Sequence, residues 1–507
     1  MSAAKKGMLN VFYGILGQII TICFGILIPK LILDNYGSEV NGLLNTISQI
    51  FTYFSLLEAG IGVASLQALY TPVAEEDKTE IEAILVATHH FYKKVGMIYG
   101  LAVIVLAFIY PFFVVSSISY WTIFAIVLFG GIGNSINFFY QAKYKILMQA
   151  EGYSYVCTNI TTIINILINI VKAALMIMGF NVLSVQISYF IFTILQMLIF
   201  SVYIKKHYSW INFSAKPNNV AISKKGATLV HQISGLVFNN TDILLLTLIT
   251  KDLKIASVYS MYNLVITMAT TMMQQIESGF SFRLGQMYNT NKERYYPLHH
   301  IFEILYMILI FSVMTCIYIL LIPFIRLYTA GATDINYINK LYPLFFVITP
   351  LLTYGRAASL NVISYAGHFR ETQNRAIIET VINLLVSVVC IYKFGILGAL
   401  LGTIVASLYR TNDMIIYAYK YLLPGSPWKT YKRWFACFGI FAIIVKFVNI
   451  DCSMFSTYPR IIGGAFILGI ICLVVYTTLQ IILNIKEFKV FISILSGYIG
   501  THKKSID

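Results

Sequence analysis

Long apolar stretches follow one another along the whole chain, separated by short polar breaks. About 20 apolar residues form a helix that crosses the 30 Å hydrocarbon layer of a membrane. We therefore predict an all-α integral membrane fold with about fourteen transmembrane helices. The predicted spans of the first half are Met8–Leu33, Val40–Leu69, Ile84–Pro111, Ser117–Leu147, Val156–Gly179, Leu183–Ile204 and Gly226–Ile249. Those of the second half are Ile255–Met287, Leu298–Ile325, Leu341–Ala366, Ala376–Lys393, Ile396–Lys420, Lys432–Asn449 and Ile461–Leu483.

The composition agrees with this pattern and indicates an orientation. Only 11% of the 507 residues are charged, whereas a soluble domain carries about 25%. The net charge is +15, but the lysines and arginines are spread over the breaks and form no single basic face for nucleic acid. With the amino terminus inside, about 25 of them fall in cytoplasmic breaks and about 8 in external ones. We predict that both termini are cytoplasmic and that the first span is retained.

Similar sequences recur in the two halves of the chain. Leu57-Glu58-Ala59-Gly60 matches Ile276-Glu277-Ser278-Gly279 at an offset of 219 residues, and Lys5-Lys6-Gly7 matches Lys224-Lys225-Gly226 at the same offset. Each repeat holds six spans, so both halves enter the bilayer in the same orientation, a geometry found in rocking transporters. We predict a six-helix lobe at residues 1–215, a second at 216–425, and two additional helices with a cytoplasmic tail at 426–507.

Charged residues within the spans are candidates for a polar cavity, because a charge near the bilayer centre costs roughly 3 kcal/mol. Arg356 lies about 21 Å along its helix from Arg370, with no acidic residue one turn away, which makes it the first cavity candidate. Glu58 and Glu277 lie roughly 16 to 18 Å from the inner ends of repeat-equivalent spans. The predicted twofold axis would place these two carboxylates as a facing pair near the middle of the membrane.

Other intramembrane charges allow more than one interpretation. Arg410 lies three residues before Asp413, so it is either a structural ion pair or a ligand contact. A further group lies nearer span ends, where side chains can reach the interface: Lys172, Asp242 and Arg283. Arg375 and Glu379 have the spacing of a solvated helical ion pair at the inner mouth of the protein.

Sequence motifs of catalysis are missing from the chain. It contains no Walker A sequence, no H-E-x-x-H and no G-x-S-x-G. The seven cysteines show no metal-ligand spacing, and adjacent histidines such as His89-His90 project about 100° apart on a helix. The Gly130-Gly131-Ile132-Gly133 run lies within an apolar span and indicates close helix packing. We therefore predict a protein that is not an enzyme and uses neither a cofactor nor a metal.

Several local sequences carry a resemblance to a known family. They are Lys5-Lys6-Gly7, Gly37-Ser38-Glu39-Val40-Asn41-Gly42, Leu56-Leu57-Glu58-Ala59-Gly60-Ile61-Gly62 and Asn240-Thr241-Asp242. Together with the two six-helix lobes and two added helices, they resemble the bacterial polysaccharide transporters of the Wzx type. That family belongs to the superfamily of multidrug, oligosaccharidyl-lipid and polysaccharide exporters.

The resemblance implies a flippase in the bacterial cytoplasmic membrane. Its substrate would be an undecaprenyl-diphosphate-linked oligosaccharide for O-antigen, capsule or exopolysaccharide assembly, and a polysaccharide polymerase and chain-length proteins would be partners. Arg356 would bind the diphosphate, with Arg410 and Lys172 as secondary candidates. Glu58 or Glu277 would contact sugar hydroxyls or carry a coupling proton. A multidrug antiporter and a peptidoglycan-precursor flippase remain as alternatives.

Overall fold

A computed structural model describes residues 3–58, 61–213, 215–222, 227–448 and 452–493. The predicted repeat marker Lys224-Lys225-Gly226, together with Ala59, Gly60 and the C-terminal tail, lies outside these ranges. The described residues form sixteen α-helices and no strand. In the first half these are α1 Ala3–Phe54, α2 Ile61–Ala74, α3 Lys78–Phe113, α4 Tyr120–Tyr140, α5 Ala142–Ala150, α6 Ser154–Ile177, α7 Val182–His207 and α8 Ala227–Thr250. In the second half they are α9 Leu253–Thr290, α10 Lys292–Tyr328, α11 Tyr342–Gly355, α12 Ala357–Tyr365, α13 Phe369–Phe394, α14 Ile396–Tyr421, α15 Trp428–Phe447 and α16 Tyr458–Leu483.

The predicted all-α membrane fold is confirmed, and each predicted span coincides with helical structure. Ten helical segments in the described part of the chain are long and apolar enough to cross a membrane. One of them, Phe12–Glu58, covers most of the first predicted span and part of the second, and between the two lies Gly37, where the backbone leaves helical geometry with φ 79°. The remaining spans, α9, α14 and α15, are long enough but more polar. Some of their charges are nevertheless buried, including Arg410 and Arg433.

Three further interruptions divide predicted spans. A short 3₁₀ turn, Ser55–Glu58, separates α1 from α2. Gln141 lies between α4 and α5, and Arg356 lies between α11 and α12. A helix interruption leaves backbone groups and neighbouring side chains free to face a cavity rather than the next helical turn. The interrupted spans carry Glu58, Lys145 and Arg356.

The contacts divide the chain into two compact units. Unit 1 comprises residues 1–260 with 331–335, and unit 2 comprises residues 261–330 with 336–507. Unit 1 therefore includes α8, which the sequence assigns to the second lobe. Thr46 on α1 and Thr247 on α8 share a hydrogen bond of 2.8 Å, and Asn41 donates to Ser257 at 2.7 Å. The predicted lobe boundaries at residues 215 and 425 stay a prediction.

Unit 1 packs α1 against α6 and α8, and α4 against α3 and α7. The predicted close packing at the Gly130 run is confirmed. A Cβ atom on Gly131 would lie 2.6 Å from Val103 and 2.8 Å from Phe51. The small residues thus bring α4 close to its neighbours.

In unit 2, the last two helices share one neighbouring helix, α10. Both α15 and α16 pack against α10. Arg433 of α15 forms a buried ion pair with Glu303 of α10, and its Nε donates to Asn484 at 2.7 Å. These polar contacts fix α15 on α10 within the protein interior.

Candidate functional site

Unit 1 contains an open cavity of about 790 Å³. Its walls come from α1, the 3₁₀ turn and α3 to α7, so the first six predicted spans all contribute. Three charged side chains line it: Glu58, Lys145 and Lys172. This size suits a substantial part of a polar head group, since ligand sites commonly enclose about 300 to 1,000 Å³.

Glu58 and Lys145 lie at one end of this cavity. The 3₁₀ turn after α1 positions Glu58, and the Tyr92 hydroxyl interacts electrostatically with its carboxylate. Lys145 lies on α5, just past the Gln141 interruption, and interacts electrostatically with Glu58. The two side chains do not approach within the 4.0 Å of an ion pair. This end of the cavity therefore holds a carboxylate and an ammonium that remain separately available.

Lys172 lies toward the other end of the cavity. Its ammonium lies 4.5 Å from the ring centroid of Tyr189 on α7, a cation–π contact. Among the residues that the structure describes, no carboxylate forms an ion pair with Lys172 or with Lys145. The sequence analysis left Lys172 open as an interfacial side chain or a secondary anion contact, and in the structure Lys172 lines the cavity.

Amide, hydroxyl and aromatic groups form the wall between these ends. Its polar side chains can form hydrogen bonds but carry no charge; they are Ser48, Thr52, Asn134, Asn137 and Gln186. Asn134 donates to the Tyr99 hydroxyl at 3.1 Å, whereas Oδ1 of Asn137 has no hydrogen-bond partner. Amides supply both donors and acceptors, which matches the hydroxyl groups of sugars.

The predicted site residue Arg356 lies in unit 2 and is not isolated. Its Nη2 donates to Glu379 of α13 at 2.7 Å, and the two side chains are about 8% and 10% exposed. The sequence analysis searched for partners one turn away on the same helix, so it missed this pair. The predicted Arg375–Glu379 pair is wrong for the same reason: Arg375 pairs with Asp413 of α14.

Glu379 also lies 3.5 Å from Arg410, whose predicted ion pair with Asp413 is confirmed at 2.6 Å. Unit 2 thus holds a network of three arginines and two carboxylates, in which Arg356 and Arg410 are buried and Arg375 is partly exposed. Nε and Nη1 of Arg356 have no hydrogen-bond partner, so this guanidinium retains unused donors. A cargo-binding role for Arg356 or Arg410 remains a proposal.

Glu277, the predicted counterpart of Glu58, is held by neighbours within unit 2. It accepts hydrogen bonds from Asn361 at 3.0 Å and from Tyr306 at 3.5 Å. Asp242 in unit 1 is likewise buried and accepts from Tyr259 at 2.8 Å. The facing of Glu58 and Glu277 stays a prediction.

Lys145 is the functional candidate that the sequence analysis overlooked. It lies inside a predicted span and has no acidic residue one turn before or after it. Lys145 nevertheless lies only two residues before the end of its predicted span, so the depth criterion that selected Arg356 did not select it. Tyr92 and the amides carry no comparable signal, because polar neutral residues within spans are common.

The second histidine pair takes part in a polar cluster on α10. The potential ligand atoms of His299, His300 and Glu303 lie within 4.8 Å of one another. The Arg433 guanidinium, however, pairs with the Glu303 carboxylate and approaches His300. Its positive charge disfavours a cation here, so the cluster has the character of an ion-pair network.

No protein-family model and no curated protein matches the chain. Solved structures do match its fold. The structure of lipid II flippase MurJ in an inward closed conformation has a TM-score of 0.61 and 15% identity, covering 94% of this chain and 100% of that one. An inward-facing multidrug resistance MATE family transporter of the MOP superfamily has a TM-score of 0.59 and 14% identity, covering 78% and 95%. A mutant of the Vibrio cholerae MATE transporter VcmN has a TM-score of 0.50 and 14% identity, covering 83% and 98%.

These likenesses define a class of fold. The chain is an all-α, multi-pass membrane protein with the fold of MOP-superfamily transporters. At these identities the likeness shows the fold alone. The evidence on the cargo is the cavity in unit 1.

Proposed function

We propose that this protein is a flippase for an anionic, lipid-linked oligosaccharide in the bacterial cytoplasmic membrane. The observation that carries the proposal is the cavity in unit 1, in which Lys145 and Lys172 line a wall of amide and aromatic side chains without a carboxylate in ion-pair range. Both termini would lie in the cytoplasm. A polymerase and chain-length proteins would use the flipped product.

The unpaired lysines supply the main physical argument. An ammonium away from bulk water is unfavourable unless an anion accompanies it. A diphosphate supplies such an anion, and lysine binds phosphate oxygens as a point charge. Lys145 is the candidate for this contact, because it lies near the predicted inner surface, where the diphosphate of an inner-leaflet lipid would lie.

The neutral wall supports an oligosaccharide as the rest of the head group. Asn134, Asn137 and Gln186 offer donors and acceptors that complement sugar hydroxyls. The lipid chain needs no polar pocket, because it can remain in the bilayer while the head group crosses. Arg356 and Arg410 are secondary anion contacts in this proposal: Arg356 retains unused donors, although Glu379 already compensates its charge.

A cation-exporting antiporter is the alternative from the same fold class. Among the residues that the structure describes, Glu58 is the one acidic side chain that lines the cavity, and it lies near Lys145. The two lysines would repel a cationic drug, whereas they would attract an anion. A peptidoglycan-precursor flippase also carries a diphosphate cargo, and the cavity chemistry fits it too.

The test is to delete the gene in its host and extract the membrane lipids. We expect a diphosphate-linked oligosaccharide to accumulate on the inner leaflet while surface glycan is lost. The wild-type gene should restore export, and Lys145→Gln at equal membrane abundance should not. Unchanged glycan together with new drug sensitivity would replace the flippase by the antiporter.

A further inference from the structure

The two cavity lysines are too far apart to meet one phosphate group. Lys172 lies 18 residues after Ser154, where α6 begins, and Lys145 lies five residues before Ala150, where α5 ends. A turn of three residues joins the two helices, which pack against each other. At 1.5 Å per residue, the two lysines lie roughly 20 Å apart along the cavity. A diphosphate is only two phosphate groups long, so it can neutralise one lysine at a time.

The surroundings of the two lysines also differ. Lys145 has the Glu58 carboxylate nearby, which partly compensates its charge. Lys172 has the Tyr189 ring, with Gln186 one helical turn away on α7. A ring face stabilises an ammonium by a smaller amount than a carboxylate does. Lys172 therefore has the greater need for an anion from the cargo.

We infer that Lys172 selects cargo whose oligosaccharide carries an acidic sugar. The inference rests on the proposed function and narrows its substrate class. With the diphosphate at Lys145, the sugars extend along the amide wall, and a carboxylate on a distal sugar reaches Lys172. Gln186 donates a second hydrogen bond to that carboxylate, and the Tyr189 ring holds the ammonium in place.

A neutral oligosaccharide would occupy the same wall but leave the Lys172 ammonium without a counterion. The loss of one charge-assisted hydrogen bond weakens binding roughly tenfold or more. The distal position matters, because an acidic sugar next to the diphosphate would remain roughly 20 Å from Lys172 and could not pair with its ammonium. Lys172 is thus a specificity residue for the far end of the head group.

The experiment compares two polyprenyl-diphosphate oligosaccharides that differ only in the terminal sugar, a uronic acid or its neutral parent. Flipping is measured in proteoliposomes that contain the full-length protein. We expect wild type to favour the acidic cargo by roughly tenfold. Lys172→Gln should remove most of that preference, and Lys172→Arg should keep it. Lys145→Gln should slow both cargoes alike.

Each other outcome has a definite meaning. Equal flux of both cargoes through wild type would overturn the acidic-sugar inference while leaving the flippase intact. An equal loss of both cargoes in Lys172→Gln would also overturn it, since Lys172 would then meet the diphosphate at a later stage of transport. If wild type flips neither cargo, the proposed function itself fails. Lys172→Arg retains the positive charge. If this variant keeps the preference for the acidic cargo while Lys172→Gln loses it, the charge at this position is the cause of the preference.

Discussion

The charged residues within the helices of the two units are arranged in different ways. In unit 2, Arg356, Arg410 and Arg433 each form an ion pair with a carboxylate on a neighbouring or the same helix. In unit 1, Lys145 and Lys172 line a cavity without an ion pair among the described residues. Paired buried charges mainly maintain structure, whereas unpaired ones leave binding capacity unused. The ion pairs of unit 2 therefore have a structural role in this comparison, whereas the lysines of unit 1 belong to the candidate binding site.

The backbone explains part of this difference. Glu58 and Glu277 occupy similar local sequences, but Glu58 ends a 3₁₀ turn, whereas α9 continues without a break through Glu277. A regular helix keeps its neighbours close, and Asn361 and Tyr306 reach Glu277. The interruption at Glu58 accompanies an open cavity. Similar sequence patterns therefore support different local environments.

The largest effect is expected at the ion pair that fixes α15 on α10. Arg433→Ala leaves Glu303 buried without its main partner, and breaking such a pair costs about 3 to 5 kcal/mol. We expect a strong fall in membrane abundance and thermal stability of the purified protein. Lys94→Ala, at an exposed position on α3, is the matched control. Unchanged stability of the Arg433 variant would refute a structural role for this pair.

The Arg356–Glu379 pair is expected to show the next largest effect. Arg356→Ala should lower stability by a few kcal/mol, because Glu379 then depends on Arg410 alone. The double variant Arg356→Ala with Glu379→Ala should recover part of that loss. Thermal unfolding measures both stability changes, and a flipping assay measures transport by the same variants. Restored abundance without restored flipping would assign Arg356 a direct role in cargo binding.

Lys145 should behave in the opposite way. Lys145→Gln removes an unpaired ammonium, so we expect stability to be kept or raised while flipping falls at least about tenfold. Transport per mole of folded protein is the measurement, with Lys94→Gln as control. A loss of stability comparable to that of Arg433→Ala would contradict the distinction between the two units.

The smallest effect is expected from exchanging carboxylates for amides. Glu277→Gln keeps a side chain of the same shape with hydrogen-bonding groups, so it should cost only about 1 kcal/mol. Glu58→Gln removes the charge that partly compensates Lys145 and should change cargo affinity more than stability. Parallel binding and unfolding curves for both variants test this contrast. Equal effects on cargo binding would show that both carboxylates serve the site.

Most of the buried ion pairs escaped prediction because their two residues belong to different helices. Same-helix spacing found the Arg410–Asp413 pair, three residues apart. It could not find Arg356–Glu379, which are 23 residues apart, or Arg433–Glu303, which are 130 apart. Depth along a helix identified Arg356, Glu58 and Glu277 as candidates for a polar cavity. It did not reveal which of them face an open cavity.

The sequence by itself determined that the chain forms membrane-spanning helices and where they lie. This follows because the bilayer demands a continuous apolar stretch for each span, so the information is local. Only the tertiary structure decided which charges are neutralised by partners and which line the cavity in unit 1. Those outcomes depend on helix packing and on interruptions such as the one at Glu58, which bring together residues far apart in the chain.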